Sequence, residues 1–124
     1  MVLPGVVVNG CGHFRGRINC YPAVFEQAVG YALYPGTINV RVDRCLPIVE
    51  QFRIAGTLIA EPDQDLLFER CRINGVDAVR IRPYQINSGE GGHGDNILEI
   101  SSGCMVEGVE LGAEVEVELF REID

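Results

Sequence analysis

The pair Asn74-Gly75 stands between two runs of β-forming residues, and it restricts the fold more than any other feature of this sequence. The run before it is LLFERCRI, residues 66–73, and the run after it is VDAVRIR, residues 76–82. Asparagine followed by glycine is the preferred pair for a two-residue hairpin turn, because both residues adopt positive φ angles at low cost. The sequence therefore predicts an antiparallel hairpin in the middle of the chain.

Other short runs rich in Val and Ile extend this β pattern along the chain. They cover residues 2–8, 37–42, 52–60 and 97–101, and glycine and proline residues separate them. Near the end, EVEVELF alternates acidic and apolar residues, as in a half-exposed strand or a sheet edge. A chain of 124 residues has the length of one domain. We therefore predict a single mostly-β domain over residues 1–124, either a barrel or a sandwich.

One main α-helix is predicted over residues 21–32. Pro22 suits a first helical turn, and Phe25 and Val29 fall on one helical face. The preceding segment, residues 10–16, is predicted as a glycine loop without regular structure. Residues 83–96 are rich in Gly, Ser, Asn and Asp, and a loop of that length inside a compact domain favours a functional role.

The charge of the chain limits the ligands that it can bind. A formal net charge of −8 argues against nucleic-acid binding, which needs a basic face. All ten cationic side chains are arginine, so a P-loop lysine is excluded. A phosphate group would have to be held by arginine, by backbone N–H groups or by a metal ion.

The cysteines and the apolar runs indicate a cytoplasmic protein. The chain has five cysteines and no CxxC motif, which favours reduced thiols, with a zinc site or disulfides as the alternatives. No apolar run approaches the roughly 18 to 20 residues that a membrane span requires. The apolar start MVLPGVVVNG has no basic region before it, so it does not resemble a signal peptide.

Three polar side chains on predicted strands are candidates for a site. Thr37 and Asn39 are two residues apart on one strand, so they share a face, and both offer neutral oxygen atoms of the kind that Mg²⁺ binds beside a nucleotide. Glu99 follows the long loop and could accept a hydrogen bond from a substrate hydroxyl, or act as a base. The alternative is that all three are ordinary strand residues that face solvent.

Two further groups are weaker candidates. The glycine loop that begins at Gly10 could let backbone N–H groups approach a phosphate closely, or it could be a tight β connection. Arg80 and Arg82 share a strand face and could hold an anion, or could pair with some of the 18 acidic residues.

Taken in order, these pieces resemble the CTP-dependent riboflavin kinases of archaea. The most specific part is YPGTINV, residues 34–40, which is similar to PYPGTLNV in that family. Arg82-Pro83 and the run NILEI, residues 96–100, support the resemblance, which spans nearly the whole chain.

The resemblance implies a fold, a reaction and a set of site residues. The fold would be a six-stranded cradle-loop barrel, and the reaction would transfer the γ-phosphate of CTP to the 5′-hydroxyl of riboflavin, giving FMN and CDP. Thr37 and Asn39 would bind Mg²⁺, and Glu99 would orient or deprotonate the riboflavin hydroxyl. The flavin would also contact Gly91 and His93. Nucleotide-binding positions would be Gly10, Cys11, Gly12, His13, Phe14, Arg15, Cys104, Met105, Val106 and Glu107.

Differences from the family pattern leave other functions open. The glycine loop is about two residues shorter than the G-x-G-x-G loop of the family, and Gly91 stands where the family has threonine before the histidine. One alternative is a flavin- or nucleotide-binding module without phosphoryl transfer. Another is a protein-interaction barrel that uses its acidic edge strand. We expect no nucleic-acid or membrane partner, and the nucleotide preference and the oligomeric state stay open.

Overall fold

A computed structural model describes residues 1–10, 13–85, 89–90 and 94–121. Strands predominate among these residues, with two short α-helices near the start of the chain. The elements are β1 (Val2–Val8), α1 (His13–Cys20), α2 (Pro22–Val29), β2 (Ile38–Arg41), β3 (Phe52–Ile54), a 3₁₀ helix (Gly56–Ile59), β4 (Gln64–Ile73), β5 (Val76–Gln85), β6 (Gly89–Glu90), β7 (Ile97–Ser102) and β8 (Glu114–Leu119).

Six of the strands close into an antiparallel barrel. Going round the barrel, β1 pairs with β2, β2 with β7, β7 with β5, β5 with β4, β4 with β8, and β8 with β1. The short strand β3 pairs with β4, and the short strand β6 pairs with β5, both in addition to the six strands of the barrel. The mostly-β, six-stranded barrel implied by the resemblance is therefore confirmed.

Two apolar clusters hold the structure together. The first fills the barrel interior, where alternate residues of every strand point inward, among them Val40, Ile73 and Leu98. The second lies outside the barrel, where α1 and α2 cover β4 and β5. There Phe68 packs against Phe25 edge to face and against Phe52 in a stack, with ring centroids 6.3 Å and 4.9 Å apart. Part of β4 therefore has apolar residues on both faces.

The predicted hairpin is present at Asn74-Gly75. Asn74 has φ 49° and Gly75 has φ 80°, and Ile73 pairs with Val76 on either side of the turn. The Asn74 Oδ1 also accepts a hydrogen bond from the Glu116 N–H at 3.0 Å. The turn thus connects the hairpin to β8 as well as joining its own two strands.

Replacing Asn74 with alanine is expected to lower the free energy of unfolding by about 1 to 3 kcal/mol, since alanine tolerates positive φ poorly and lacks the bond to Glu116. Asn74→Gly is the matched control, because it loses that bond but keeps the φ angle free. Urea denaturation of both variants measures the contribution of the hydrogen bond and that of the backbone angle to the free energy of unfolding. An Asn74→Gly variant that loses as much stability as Asn74→Ala would show that the backbone angle contributes nothing.

The helical region differs from the prediction in two ways. The helix predicted over residues 21–32 is α2, which ends at Val29 because Gly30 adopts φ 100°. The predicted loop at residues 10–16 is helical from His13 onward, as the first half of α1. Phe14 and Ile18, four residues apart, are both buried, so this glycine-containing segment has a helical apolar face. The prediction of one main helix was therefore incomplete.

One strand prediction needs correction, and for the acidic strand the half-exposed alternative is confirmed. The run over residues 52–60 is a strand only to Ile54, because the chain then turns into the 3₁₀ helix. A Cβ on Gly56 would lie 1.8 Å from the Glu61 carbonyl oxygen, so only glycine fits this bend. The acidic strand β8 is not a sheet edge, since it pairs with both β1 and β4. Although β8 is part of the closed barrel, its Glu114 and Glu116 side chains point outward to solvent.

The described cysteines are thiols, and no described helix could cross a membrane. Cys20, Cys45, Cys71 and Cys104 are all free, and burial raises the pKa of Cys71 to about 12. Within the described residues, no group of three or more His, Cys, Asp or Glu could hold a metal ion. Neither α1 nor α2 is long and apolar enough for a membrane span.

Candidate functional site

A cleft of about 250 Å³ opens at one end of the barrel, where the start of β2 meets the end of β7. Four parts of the chain form its walls: α1, the turn before β2, the end of β7, and the segment that follows β7. The residues that line it are Arg15, Tyr34, Pro35, Gly36, Thr37, Ile38, Ile100, Ser101, Ser102, Cys104, Met105, Val106 and Val109. Segments distant in the sequence therefore meet at this cleft.

The turn before β2 is fixed to β7 by three hydrogen bonds. The Tyr34 N–H donates to the Ser102 carbonyl oxygen at 2.7 Å, and the Ser101 hydroxyl donates to the carbonyl oxygens of Gly36 at 3.1 Å and Tyr34 at 3.5 Å. Gly36 has φ 114°, a conformation that glycine adopts at little cost. Thr37 is thereby held at the cleft, one residue before β2 begins.

Asn39 and Glu99 lie directly opposite each other on β2 and β7. Residues opposite each other on neighbouring strands point to the same face of the sheet, so the two side chains are neighbours. Asn39 is 5% exposed, and its buried Oδ1 accepts no hydrogen bond from the described part of the chain. Such an oxygen costs about 1 to 3 kcal/mol unless a partner satisfies it, and a bound cation is one such partner. The neutral oxygens at residues 37 and 39 therefore fit Mg²⁺.

Gly10 lies directly against the Asn39 side chain. A Cβ built on Gly10 would lie 1.8 Å from Asn39 Nδ2 and 2.9 Å from Oδ1. The contact arises because Val8, near the end of β1, pairs with Asn39 on β2. The start of the glycine loop is therefore in contact with the predicted metal ligand.

Five of the predicted site residues line the cleft. Arg15 reaches it from α1, Thr37 from the turn before β2, and Cys104, Met105 and Val106 from the segment after β7. The Arg15 side chain is exposed and makes no ion pair with any described residue. The structure thus collects residues from three of the predicted segments at one place, and their roles there stay predictions.

Other predicted residues have different positions. Phe14 is 3% exposed and packs in the apolar cluster under the helices, so only its backbone is available to a ligand. Glu107 lines an adjoining shallow depression formed by residues 105–110, which shares Met105, Val106 and Val109 with the cleft. His13 begins α1. Cys11, Gly12, Gly91 and His93 lie outside the described residues.

Sequence comparison places the chain among known enzymes, although a scan against models of protein families finds no match. The riboflavin kinase of Aeropyrum pernix is 32% identical over 94 residues, which are 74% of this chain and 66% of that protein, just under two thirds of its length. The riboflavin kinase of Staphylothermus marinus is 30% identical over 103 residues, which are 81% of this chain and 75% of that protein. The chain belongs to the riboflavin kinase family. The resemblance found in the sequence is thereby confirmed.

Two of the candidate residues, Arg80 and Arg82, form ion pairs within the protein. Arg80 is buried, forms an ion pair with Glu69 at 3.6 Å and donates to the Leu46 carbonyl oxygen at 2.6 Å. Arg82 pairs with Asp95 at 3.4 Å. Burial lowers the pKa of Arg80, and the nearby Glu69 carboxylate opposes that shift. Both arginines therefore pair with acidic residues, which was the alternative to an anion site.

Three cleft residues with polar side chains were not predicted from the sequence: Tyr34, Ser101 and Ser102. The two serine hydroxyls bond to backbone carbonyls, Ser101 to Gly36 and Ser102 to Cys104 at 2.6 Å. Two adjacent serines at the end of a strand are common, so the sequence alone did not indicate that these two line a site. Tyr34 belongs to the YPGTINV segment and could have been considered with it.

Proposed function

We propose that this protein is a CTP-dependent riboflavin kinase that transfers the γ-phosphate of CTP to the 5′-hydroxyl of riboflavin in the presence of Mg²⁺. The supporting observation is the cleft that collects Arg15, Thr37 and residues 104–106, in a chain of the riboflavin kinase family. Asn39 does not line this cleft, but it lies two residues after Thr37, and its buried Oδ1 accepts no hydrogen bond from the described residues. The small-molecule ligands of the protein would be riboflavin and CTP as substrates and FMN and CDP as products.

Thr37 and Asn39 are the residues that would hold Mg²⁺. A bound Mg²⁺ would supply positive charge that offsets the negative charge developing during phosphoryl transfer. Thr37 is held at the cleft by the turn fixed to β7, and Asn39 is held by pairing on both sides within the sheet. Two ligands that are already positioned lose little conformational entropy on binding.

The reaction itself requires positioning and electrostatic stabilisation more than covalent chemistry. A bond forms between the riboflavin 5′-oxygen and the γ-phosphorus, the bond from that phosphorus to the β,γ-bridging oxygen breaks, and the hydroxyl proton passes to the Glu99 carboxylate. Arg15 is the described cleft residue whose guanidinium can donate to phosphate oxygens. Because Glu99 lies opposite Asn39, the base and the metal ligand lie on adjacent strands.

The test is a direct assay. The protein is incubated with riboflavin, Mg²⁺ and each of the four nucleoside triphosphates in turn, and FMN is measured by chromatography. FMN is expected with CTP, and removal of the metal with EDTA is expected to abolish it. The absence of FMN with all four nucleotides would contradict the proposal.

The binding module without transfer is the second candidate, and the shortened glycine loop favours it. A thermal shift with riboflavin or with CDP, in a protein that forms no FMN, would support it.

For either function we propose the cytoplasm as the compartment, since free thiols such as those of Cys20, Cys45 and Cys104 persist where the medium is reducing.

A further inference from the structure

We propose that Arg82 is a positioning residue for riboflavin, because it fixes the turn at residues 94–97, from which β7 begins, and so sets the place of Glu99. This inference rests on the proposed function only in taking riboflavin to be the ligand beside Glu99. Arg82 is 8% exposed, so its guanidinium is held inside the protein. It donates to the Gly94 carbonyl oxygen at 3.3 Å and pairs with the Asp95 carboxylate at 3.4 Å.

Arg82 lies where the backbone pairing between β5 and β7 ends. That pairing runs from Ala78 opposite Ser102 to Ile81 opposite Glu99, and Arg82 follows directly on β5. From this point on, the side-chain contacts of Arg82 connect β5 to the chain before β7. Glu99 is thus the first residue of β7 that is paired with β5, and its position depends on how the preceding residues are held.

The three carbonyl oxygens of residues 94–96 all accept hydrogen bonds. The Gly94 oxygen accepts the Ile97 N–H at 3.1 Å, which closes a β-turn, as well as the bond from Arg82. The next two carbonyl oxygens accept the N–H groups of Leu46 at 3.0 Å and Val42 at 2.9 Å, both in the segment after β2. The turn is therefore held from one side by backbone and from the other by a buried guanidinium.

Arginine suits this place because its planar guanidinium donates to two acceptors through separate nitrogen atoms. Here the acceptors are a backbone carbonyl oxygen and a carboxylate on consecutive residues. Without Arg82, the partly buried Asp95 carboxylate would lose this partner, and an unpaired charge is more stable in water than inside a protein. We therefore expect the turn to move toward solvent when Arg82 is replaced.

The residues that adjoin this turn in the sequence are those predicted to act on riboflavin. Glu99 lies two residues after it, on β7. His93, which the resemblance implies as a flavin contact, directly precedes Gly94. The predicted metal ligand Asn39 is also held from β1, through its pairing with Val8. A shift of the turn should therefore weaken riboflavin more than the nucleotide.

Titrations with riboflavin and with CDP test this selectivity. Arg82→Gln is expected to raise the Kd of riboflavin about 10-fold or more, because small displacements in a site are costly, and to change the Kd of CDP with Mg²⁺ less than about twofold. Asp95→Asn should show the same selectivity with a smaller effect. In the double variant the two losses should not add, because both remove one contact. Riboflavin fluorescence measures the first Kd, and isothermal titration measures the second.

Arg121→Gln is the matched control. Arg121 pairs with the buried Glu69 carboxylate at 3.2 Å and donates to the Pro47 carbonyl oxygen at 3.2 Å, which are the same two kinds of contact. Its partners lie outside residues 94–96, so both glutamine variants should lose stability in urea, whereas only Arg82→Gln should lose riboflavin affinity. Arg82→Lys keeps the charge but has a single nitrogen, so its riboflavin Kd should lie between those of the wild type and Arg82→Gln.

The outcomes distinguish this inference from the kinase proposal. It is overturned if Arg82→Gln and Asp95→Asn both bind riboflavin as the wild type does, if they weaken CDP as much as riboflavin, if Arg121→Gln loses as much riboflavin affinity, or if the wild type binds no riboflavin. Should Arg82→Gln fail to fold, Asp95→Asn decides the test.

The two proposals can also fail separately. A protein that makes no FMN, but whose riboflavin binding depends selectively on Arg82, would refute the kinase and retain the positioning role. FMN synthesis in the wild type, with unchanged riboflavin affinity in Arg82→Gln and Asp95→Asn, would do the reverse.

Discussion

Replacing Glu99 with glutamine is expected to lower kcat for riboflavin phosphorylation about 100-fold or more, with the KM for CTP nearly unchanged. Glutamine has almost the same size and can still accept a hydrogen bond through its amide oxygen, but it cannot take the hydroxyl proton. Glu99 is half-buried on β7, directly opposite Asn39 and Ile81, so the substitution occurs beside the predicted metal ligand. Steady-state FMN formation at saturating CTP measures the effect.

Glu114→Gln is the matched control for this experiment. Neither Glu99 nor Glu114 lines the cleft, but Glu114 is exposed on β8, which pairs with β1 and β4 and not with the strands that carry Asn39 and Glu99. The same chemical change there should leave kcat within about twofold. Full activity in Glu99→Gln would remove the base role. A raised KM for riboflavin with an unchanged kcat would instead make Glu99 a residue that binds the flavin.

Charge pairing explains why the site would depend on its metal ion. The net charge is −8, and many of the guanidiniums are already paired with carboxylates. Arg53 contacts Glu50 at 2.7 Å, for example, and Arg72 contacts Asp77 at 2.9 Å. Arg15, in contrast, lines the cleft and has no such partner in the described ranges. One guanidinium offsets only part of the charge of a triphosphate, so a divalent cation would supply the larger share.

Local signals predicted part of the structure correctly. The Asn74-Gly75 turn depends on two neighbouring residues, so the sequence was sufficient to find it. Helix α1 was missed because glycine lowers helix propensity, whereas the burial of Phe14 and Ile18 against the barrel, a tertiary effect, stabilises it.

The candidate site was harder to predict because its residues meet through strand register. Nothing local in the sequence shows that Asn39 pairs with Glu99, or that the chain at Gly10 leaves no room for a Cβ beside Asn39. The YPGTINV segment marked Thr37 and Asn39 only through its resemblance to a family. The contacts of Tyr34 with the end of β7 needed the three-dimensional structure.

Replacing Gly10 with alanine is expected to lower kcat/KM for CTP about 100-fold, because the new methyl group would occupy the space of the Asn39 amide. The nearest atom, Asn39 Nδ2, would be 1.8 Å away, and Asn39 is buried, so its side chain must move from the position at which it would bind Mg²⁺. A displacement of about 1 Å in a site can cost that much activity. The overpacking should also lower the free energy of unfolding by about 1 to 3 kcal/mol. Initial rates over a range of Mg²⁺ concentrations, together with urea denaturation, measure both effects.

Gly16→Ala makes the same chemical change where no atom lies within 4 Å of the new Cβ. Gly16 is inside α1, so alanine there should raise the free energy of unfolding by about 0.5 to 1 kcal/mol. The two variants thus differ in the sign of their effect on stability, and only Gly10→Ala should require more Mg²⁺ for half-maximal activity. If Gly10→Ala kept the wild-type Mg²⁺ requirement, Asn39 would have no part in binding the metal, because its amide is the group that the methyl displaces.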